Sequence, residues 1–180
     1  MIVSESVKQL FQMLKHVVKD FEQADRKLFV QTFLYLIDKT DDATLMKHLT
    51  ELVTHWVLSK SNTCIPNKDK VTIVGRLCVA VVRRFKGTAA YTSFLQFVHD
   101  YYSDRQTANQ DILQRLEPAF HAGLQSPNDE LREKFFRIFD APNRNTDIFL
   151  RLDACMAMSV ARWEHVKDGT WVKDCVDVML

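Results

Sequence analysis

The sequence predicts an all-α fold in which antiparallel helix pairs stack as an α-α superhelix. Three observations carry that prediction. The 180 residues include only four glycines and four prolines, too few turn formers for a strand-rich domain. Apolar residues recur at steps of three and four along most of the chain, the period of a helix buried along one stripe. Helix starts also return at intervals close to those of helix-pair repeats. With 47% hydrophobic residues, the composition supplies a continuous core.

The first helix is expected over residues 6–21, where Val7, Leu10, Phe11, Leu14, Val17, Val18 and Phe21 form the apolar stripe. A second occupies 25–39 on Leu28, Phe29, Phe33, Leu34, Leu36 and Ile37, a face wide enough to meet neighbours on two sides. Thr40-Asp41-Asp42 stops it and caps the next, because short oxygen-bearing side chains accept the unpaired amide protons of a first turn. The third helix, 42–58, presents Leu45, Met46, Leu49, Leu52, Val53 and Trp56. The polar segment 59–67 with Pro66 reads as a loop, and Asn67 or Asp69 is placed to cap the fourth helix.

Helix four, 68–86, keeps Val71, Val74, Leu77, Cys78, Val81, Val82 and Phe85 in register and ends at Gly87. The fifth, 88–103, is aromatic: Tyr91, Phe94, Tyr101 and Tyr102 accompany Leu95 and Val98. Such a row could stack bases, but its neighbours are Asp100 and Asp104 rather than a basic groove, so it reads as core. Ile112, Leu113 and Leu116 begin a sixth helix that meets Pro118, where it either kinks or yields to a new helix with the proline in its first turn. Ser126-Pro127-Asn128-Asp129 opens the seventh, with Leu131, Phe135, Phe136, Ile138 and Phe139 projecting inward, and 140–143 closes it.

A further helix is expected from about Thr146 and a last one from Trp171, which stops in full apolar stride. Stacked repeats need polar caps to stay soluble, so the chain reads as a piece of a longer array. Hairpin starts at Leu28, Val71, Ile112 and Ile148 are spaced by about 43, 41 and 36 residues, in or near the period of roughly 40 to 47 of HEAT-type pairs. One continuous segment over 1–180 is expected, with helix pairs at 25–58, 68–103, 109–140 and 146–180 and the extra amino-terminal helix at 6–21. Its class is HEAT/armadillo-like.

Charge and side-chain chemistry exclude more than they suggest. Twenty-four basic and 23 acidic residues leave a net charge of +1, with no stripe of the kind that tracks a phosphate backbone. The densest basic cluster, Arg83-Arg84-Phe85-Lys86, lies at a helix end, where cations offset the helix dipole. Direct nucleic-acid binding is not expected.

Cys64, Cys78, Cys155 and Cys175 contain no C-x-x-C pair, and three of them fall on apolar helical positions, in keeping with a reducing compartment. The six histidines never adopt a metal-binding helical spacing. Glycine-rich phosphate loops and G-x-S-x-G elbows are absent from the sequence. Cys155 with His165, Asp153 with Glu164, and Met156 with Met158 read as core or solvated helix residues. No catalytic, cofactor-binding or metal-binding residue is assigned, no cofactor or small-molecule ligand is expected, and the protein-binding residues are unknown at this level. Neither a signal peptide nor a run of 18 apolar residues is present, so a membrane role is not expected.

The wording of 116–140 goes further than its periodicity. Leu116-Glu117-Pro118-Ala119-Phe120, Gly123-Leu124, Arg132, Lys134-Phe135-Phe136 and Phe139-Asp140 resemble a tract of the TRRAP family, giant scaffolds of histone acetyltransferase complexes related to the phosphatidylinositol-3-kinase-like protein kinases but inactive. Leu36-Ile37-Asp38-Lys39-Thr40, Leu52-Val53 before Trp56-Val57, Phe94-Leu95 through Tyr101-Tyr102, and Trp171-Val172-Lys173-Asp174-Cys175 fall in matching order. The resemblance implies a segment of that family's HEAT-repeat region, remote from its kinase-like domain. It further implies a nuclear, non-catalytic scaffold that carries subunits of a histone acetyltransferase coactivator complex such as SAGA and is recruited by transcription activators. Readings that share the fold are a HEAT segment of another giant kinase-family member and a free-standing helical adaptor. A small all-helical enzyme would need a constellation that the sequence lacks.

Overall fold

The computed structural model describes residues 2–59, 65–104, 108–143, 145–153 and 176, and every regular element among them is helical. In order, α1 spans Ile2–Val17, α2 Gln23–Lys39, α3 Ala43–Leu58, α4 Asn67–Arg84, α5 Ala89–Ser103, α6 Gln110–Leu124 and α7 Asp129–Asp140. Single 3-10 turns succeed α1 at Val18–Asp20 and α7 at Ala141–Asn143. Residues 148–153 are again helical. The expected helices beyond 153, together with Cys64, Cys155, Cys175, His165, Glu164 and the two methionines 156 and 158, lie outside the described residues.

The chain divides into two compact units, Met1–Ala122 and Gly123–Leu180. In the first, helices pack on the helix two along in sequence: α1 on α3, α3 on α5, and α2 on α4, with α3–α4 and α4–α5 contacts closing the layers. That alternation is the signature of stacked helix pairs, since a simple bundle packs sequence neighbours around one axis. The fold is all-α and HEAT-like.

Local chemistry explains most of the boundaries. The Asp42 carboxylate accepts from the amides of Thr44 and Leu45 at 2.8 and 3.3 Å, so the expected cap of α3 forms. Thr88 caps α5 through Tyr91 N at 3.3 Å, after Gly87 has turned the chain at φ +82°. Asn128 caps α7 through Leu131 N at 2.9 Å. The start of α4 differs from expectation. Pro66 occupies the N-cap without a side-chain bond, its carbonyl accepting from Asp69 and Lys70, and Asn67 is already helical.

Of the two readings at Pro118 the new helix is set aside: α6 is one helix from Gln110 to Leu124 with the proline inside it. Asn109 caps it with bonds to Asp111 N and Ile112 N at 2.8 and 3.4 Å, and Tyr102 Oη donates to the Leu113 carbonyl at 2.9 Å. These anchors, with Leu116, Ala119 and Phe120 buried around the proline, keep the residues before and after it in one helix. The apolar stripes of α1 and α2 are also only half covered. Phe11, Val18, Val30, Phe33 and Ile37 are buried, while Leu10, Val17 and Leu28 are exposed. The reason is that α1 packs chiefly on α3 and α2 on α4, one neighbour each, although the α2 face is wide enough for two.

The core of the first unit centres on Trp56, whose ring meets Phe29 and Phe33 with centroids 5.6 and 5.2 Å apart. In the second unit the spacing that matters is between α7 and the last turn of α6. A Cβ built on Gly123 would come within 2.5 Å of the Phe135 ring, so only glycine allows that ring to sit where it does. Arg151 donates to both carboxylate oxygens of Asp140 at 2.9 and 2.6 Å, a buried bidentate pair that ties residues 148–153 to the end of α7.

Candidate protein-docking groove

Along α4, Thr72, Arg76, Val79 and Arg83 recur at steps of four, three and four and therefore share one side of the helix, with Gly75 beside them. That side forms the floor of a groove of about 710 Å³ whose other walls are the end of α2, at Asp38, and the middle of α6, at Gln114, Arg115 and Pro118. All of it lies in the first unit. Val71, Val79 and Ala80 give the floor apolar surface and Pro118 gives it to the α6 wall, while Arg76, Arg83, Arg84 and Arg115 line the groove with cations against a single carboxylate.

The four arginines do different work. Arg84 reaches across to the carboxy-terminal end of α2, donating to the carbonyls of Asp38 at 3.1 Å and Thr40 at 3.0 Å and, through its other terminal nitrogen, to that of Ile37. The last carbonyls of a helix have no amide partners of their own and carry the negative end of its dipole, so a guanidinium is the group that satisfies them best. Position in sequence suggested that this cluster served its own helix; the structure gives Arg84 to a neighbouring one. Arg76 pairs with Asp38 at 3.3 Å across an exposed gap.

Arg83 and Arg115 have no hydrogen-bonding or ionic partner among the described residues. Arg115 is nevertheless placed: its Cδ would lie 3.2 Å from a Cβ at Gly75, so its stem rests on bare backbone of α4. Pro118 adds one more feature. It has no amide hydrogen to donate to the carbonyl of Gln114 one turn back, which leaves an acceptor without its helical donor in the α6 wall.

Behind the floor the chemistry is that of packing. Burial pushes the Cys78 thiol up to about 11, although a hydrogen bond to the Ala119 backbone acts the other way. Tyr102 is raised to about 12, first by burial and then by the charge of Glu117. The α5 aromatics Tyr91, Phe94 and Tyr101 are buried core. His48 contacts Glu51 at 3.3 Å, His99 contacts Asp100 at 3.0 Å, and the His16 and His55 rings meet edge to face at 6.0 Å. His55 is held below its ordinary value by burial and then by Lys15 and His16. Among the described residues no three His, Cys, Asp or Glu side chains converge as a metal site, and no helix is long and apolar enough to cross a membrane.

Sequence reading did not find the groove. Its one legible trace is Val79, an apolar residue sharing a helical side with Arg76 and Arg83 instead of with the core stripe; Arg115 and Pro118 join it only through packing of α6 on α4.

The chain is 27% identical to the Danio rerio transformation/transcription domain-associated protein over 99% of its own length and 5% of the relative's. It is 28% identical to the Mus musculus protein of the same name over 86% of the chain and 6% of the relative. The SAGA complex/NuA4 acetyltransferase complex subunit Tra1 of Schizosaccharomyces pombe is 22% identical over 86% of the chain and 4% of the relative. The chain thus spans about a twentieth of the length of the relatives it matches. No solved structure matches it. The model of the family described as the Tra1 HEAT repeat ring region matches residues 1–180; the chain belongs to that family.

Proposed function

We propose that the chain is a non-catalytic scaffold segment of a nuclear transcription coactivator subunit. It would hold protein subunits of a histone acetyltransferase complex of the SAGA or NuA4 kind and serve recruitment by transcription activators. One observation carries the reading: the family match runs over residues 1–180 of a chain whose helices stack two layers deep. Stacked helix pairs expose long side-chain-lined surfaces, and repeat proteins hold their partners on such surfaces. The groove between α2, α4 and α6 is a surface of this type. The whole segment is read as one continuous repeat array, in helix pairs 25–58, 68–103, 109–140 and 146–180 behind a first helix.

The test is affinity purification of the tagged parent protein from nuclear extract, with a histone acetyltransferase assay and identification of the co-purifying subunits. Recovery of acetyltransferase subunits with activity is the expected result. A purification that yields the protein without any such subunit would overturn the reading.

A further inference from the structure

We propose that the groove between α2, α4 and α6 is a docking site for a short acidic peptide segment of a partner protein, one that places carboxylates on Arg83 and Arg115 and an apolar side chain between them. The inference deepens the scaffold reading and rests on it for the existence of a partner.

Uncompensated charge is the first support. Arg84 is used by the carbonyls of α2 and Arg76 by Asp38, whereas Arg83 and Arg115 carry their charges without a counter-ion among the described residues. Two guanidinium forks in one cleft, one on the α4 floor and one on the α6 wall, call for two anionic groups, since a carboxylate matches the fork with paired hydrogen bonds.

The floor supplies the second support. Val79 is 50% exposed there, an open apolar surface in a cleft whose 710 Å³ accommodates several side chains. An anion without an apolar part would leave that surface uncovered.

The third is the Gln114 carbonyl, deprived of its helical donor by Pro118. A peptide brings amide hydrogens to such an acceptor; a nucleic-acid backbone of phosphates and sugars brings no comparable donor along its anionic edge, and the Asp38 carboxylate in the wall would repel it. The chemistry of the cleft therefore favours a peptide over a nucleic acid.

The experiment uses the 180-residue chain and fluorescence anisotropy with a labelled twelve-residue peptide of alternating glutamates and leucines. Parallel probes are the same peptide with glutamine for glutamate and a single-stranded oligonucleotide of twelve nucleotides. The acidic peptide should bind, the glutamine peptide should not, and binding should weaken with added salt because the pairs are partly exposed. Arg83→Glu and Arg115→Glu should each weaken binding about twofold to fivefold, corresponding to the loss of one partly exposed charge pair each. Since neither arginine has a partner among the described residues, both variants should retain the wild-type circular dichroism and melting temperature. Gly75→Ala, which leaves every charge in place and displaces the Arg115 stem, should weaken binding by a smaller factor.

Absence of peptide binding, affinity unchanged in both reversal variants, or tighter binding of the oligonucleotide would each overturn the proposal. Its failure is separable from that of the scaffold reading. Subunits recovered with the parent protein but no peptide bound would refute the groove alone, and the converse would refute the acetyltransferase setting alone.

Discussion

Replacing Gly123 with alanine adds a single methyl group, and the structure says where it goes. The new Cβ would lie 2.5 Å from Cδ2 and Cε2 of Phe135 and 2.6 Å from Cγ, whereas carbon atoms rest about 3.5 to 4 Å apart. The ring must therefore retreat by about 1 Å, and Phe135 is fully buried, so its neighbours must move with it. Forcing an extra methyl into a packed interior costs about 1 to 3 kcal/mol, and a contact this short belongs at the upper end. Exchanging glycine for alanine within a helix returns up to about 1 kcal/mol of propensity. The net expectation is a loss of about 1 to 2 kcal/mol, a fall in melting temperature of roughly 2 to 8 °C for a chain of this size.

Thermal and urea melts of Gly123→Ala, Phe135→Leu and the double variant form the assay. Leucine is narrower than the ring, so the alanine should cost less in the Phe135→Leu background, a coupling of about 1 kcal/mol or more between touching residues. A Gly123→Ala protein at least as stable as wild type, or an identical cost in both backgrounds, would refute the packing argument. Gly75→Ala is the internal contrast: its nearest neighbour is the flexible Arg115 side chain at 3.2 Å, so stability should hold or rise.

Three further outcomes rest on named contacts. Arg84→Ala should cost about 2 kcal/mol, because charged hydrogen bonds to the α2 carbonyls are lost; Arg84→Lys should recover only part, a result measurable by urea denaturation and contradicted if lysine performs as well as arginine. Asp140→Asn should destabilise by about 3 to 5 kcal/mol, since it leaves the guanidinium of Arg151 without its buried counter-charge, and an unchanged urea midpoint would contradict this. The third concerns Cys78, whose thiol is raised from 9.0 to about 11 in the folded chain. The fold holds that proton more tightly than the unfolded chain does, so its contribution is complete below pH 9 and is lost as pH rises toward 11. Urea midpoints of Cys78→Ala measured across this window should fall less steeply than those of wild type; parallel curves would contradict the assignment.

Much of the fold was legible without coordinates because helices are specified locally. Asp42, Thr88 and Asn128 cap their helices through side chains that act within three residues, and the steps of three and four that placed Trp56, Leu77 and Phe135 inside are set by helix geometry alone. Where reading failed, the deciding partner was distant in sequence. Leu10 and Leu28 sit on apolar stripes yet are exposed, since periodicity tells which face a helix would bury and not how many neighbours arrive to cover it. Pro118 left a kinked helix and a new helix both open, and the tertiary structure, with the bond from Tyr102 and the cap at Asn109, continues α6 through it.

The tract 116–140 shows both sides of that division. Its letters alone carried the resemblance to the family that the whole chain matches, because an uncommon run of residue types needs no coordinates to be compared. Why those letters stand together is a tertiary fact: Gly123 is vacant so that Phe135 can occupy its space. The groove is wholly of the second kind. Sequence by itself determined the helices α2 to α7 in outline, the caps at Asp42, Thr88 and Asn128, and the family, all properties of neighbouring residues. Only the packing of α2, α4 and α6 decided that Arg84 serves a helix other than its own and that Arg83 and Arg115 face one cleft without a partner among the described residues, because charge compensation depends on which surfaces meet.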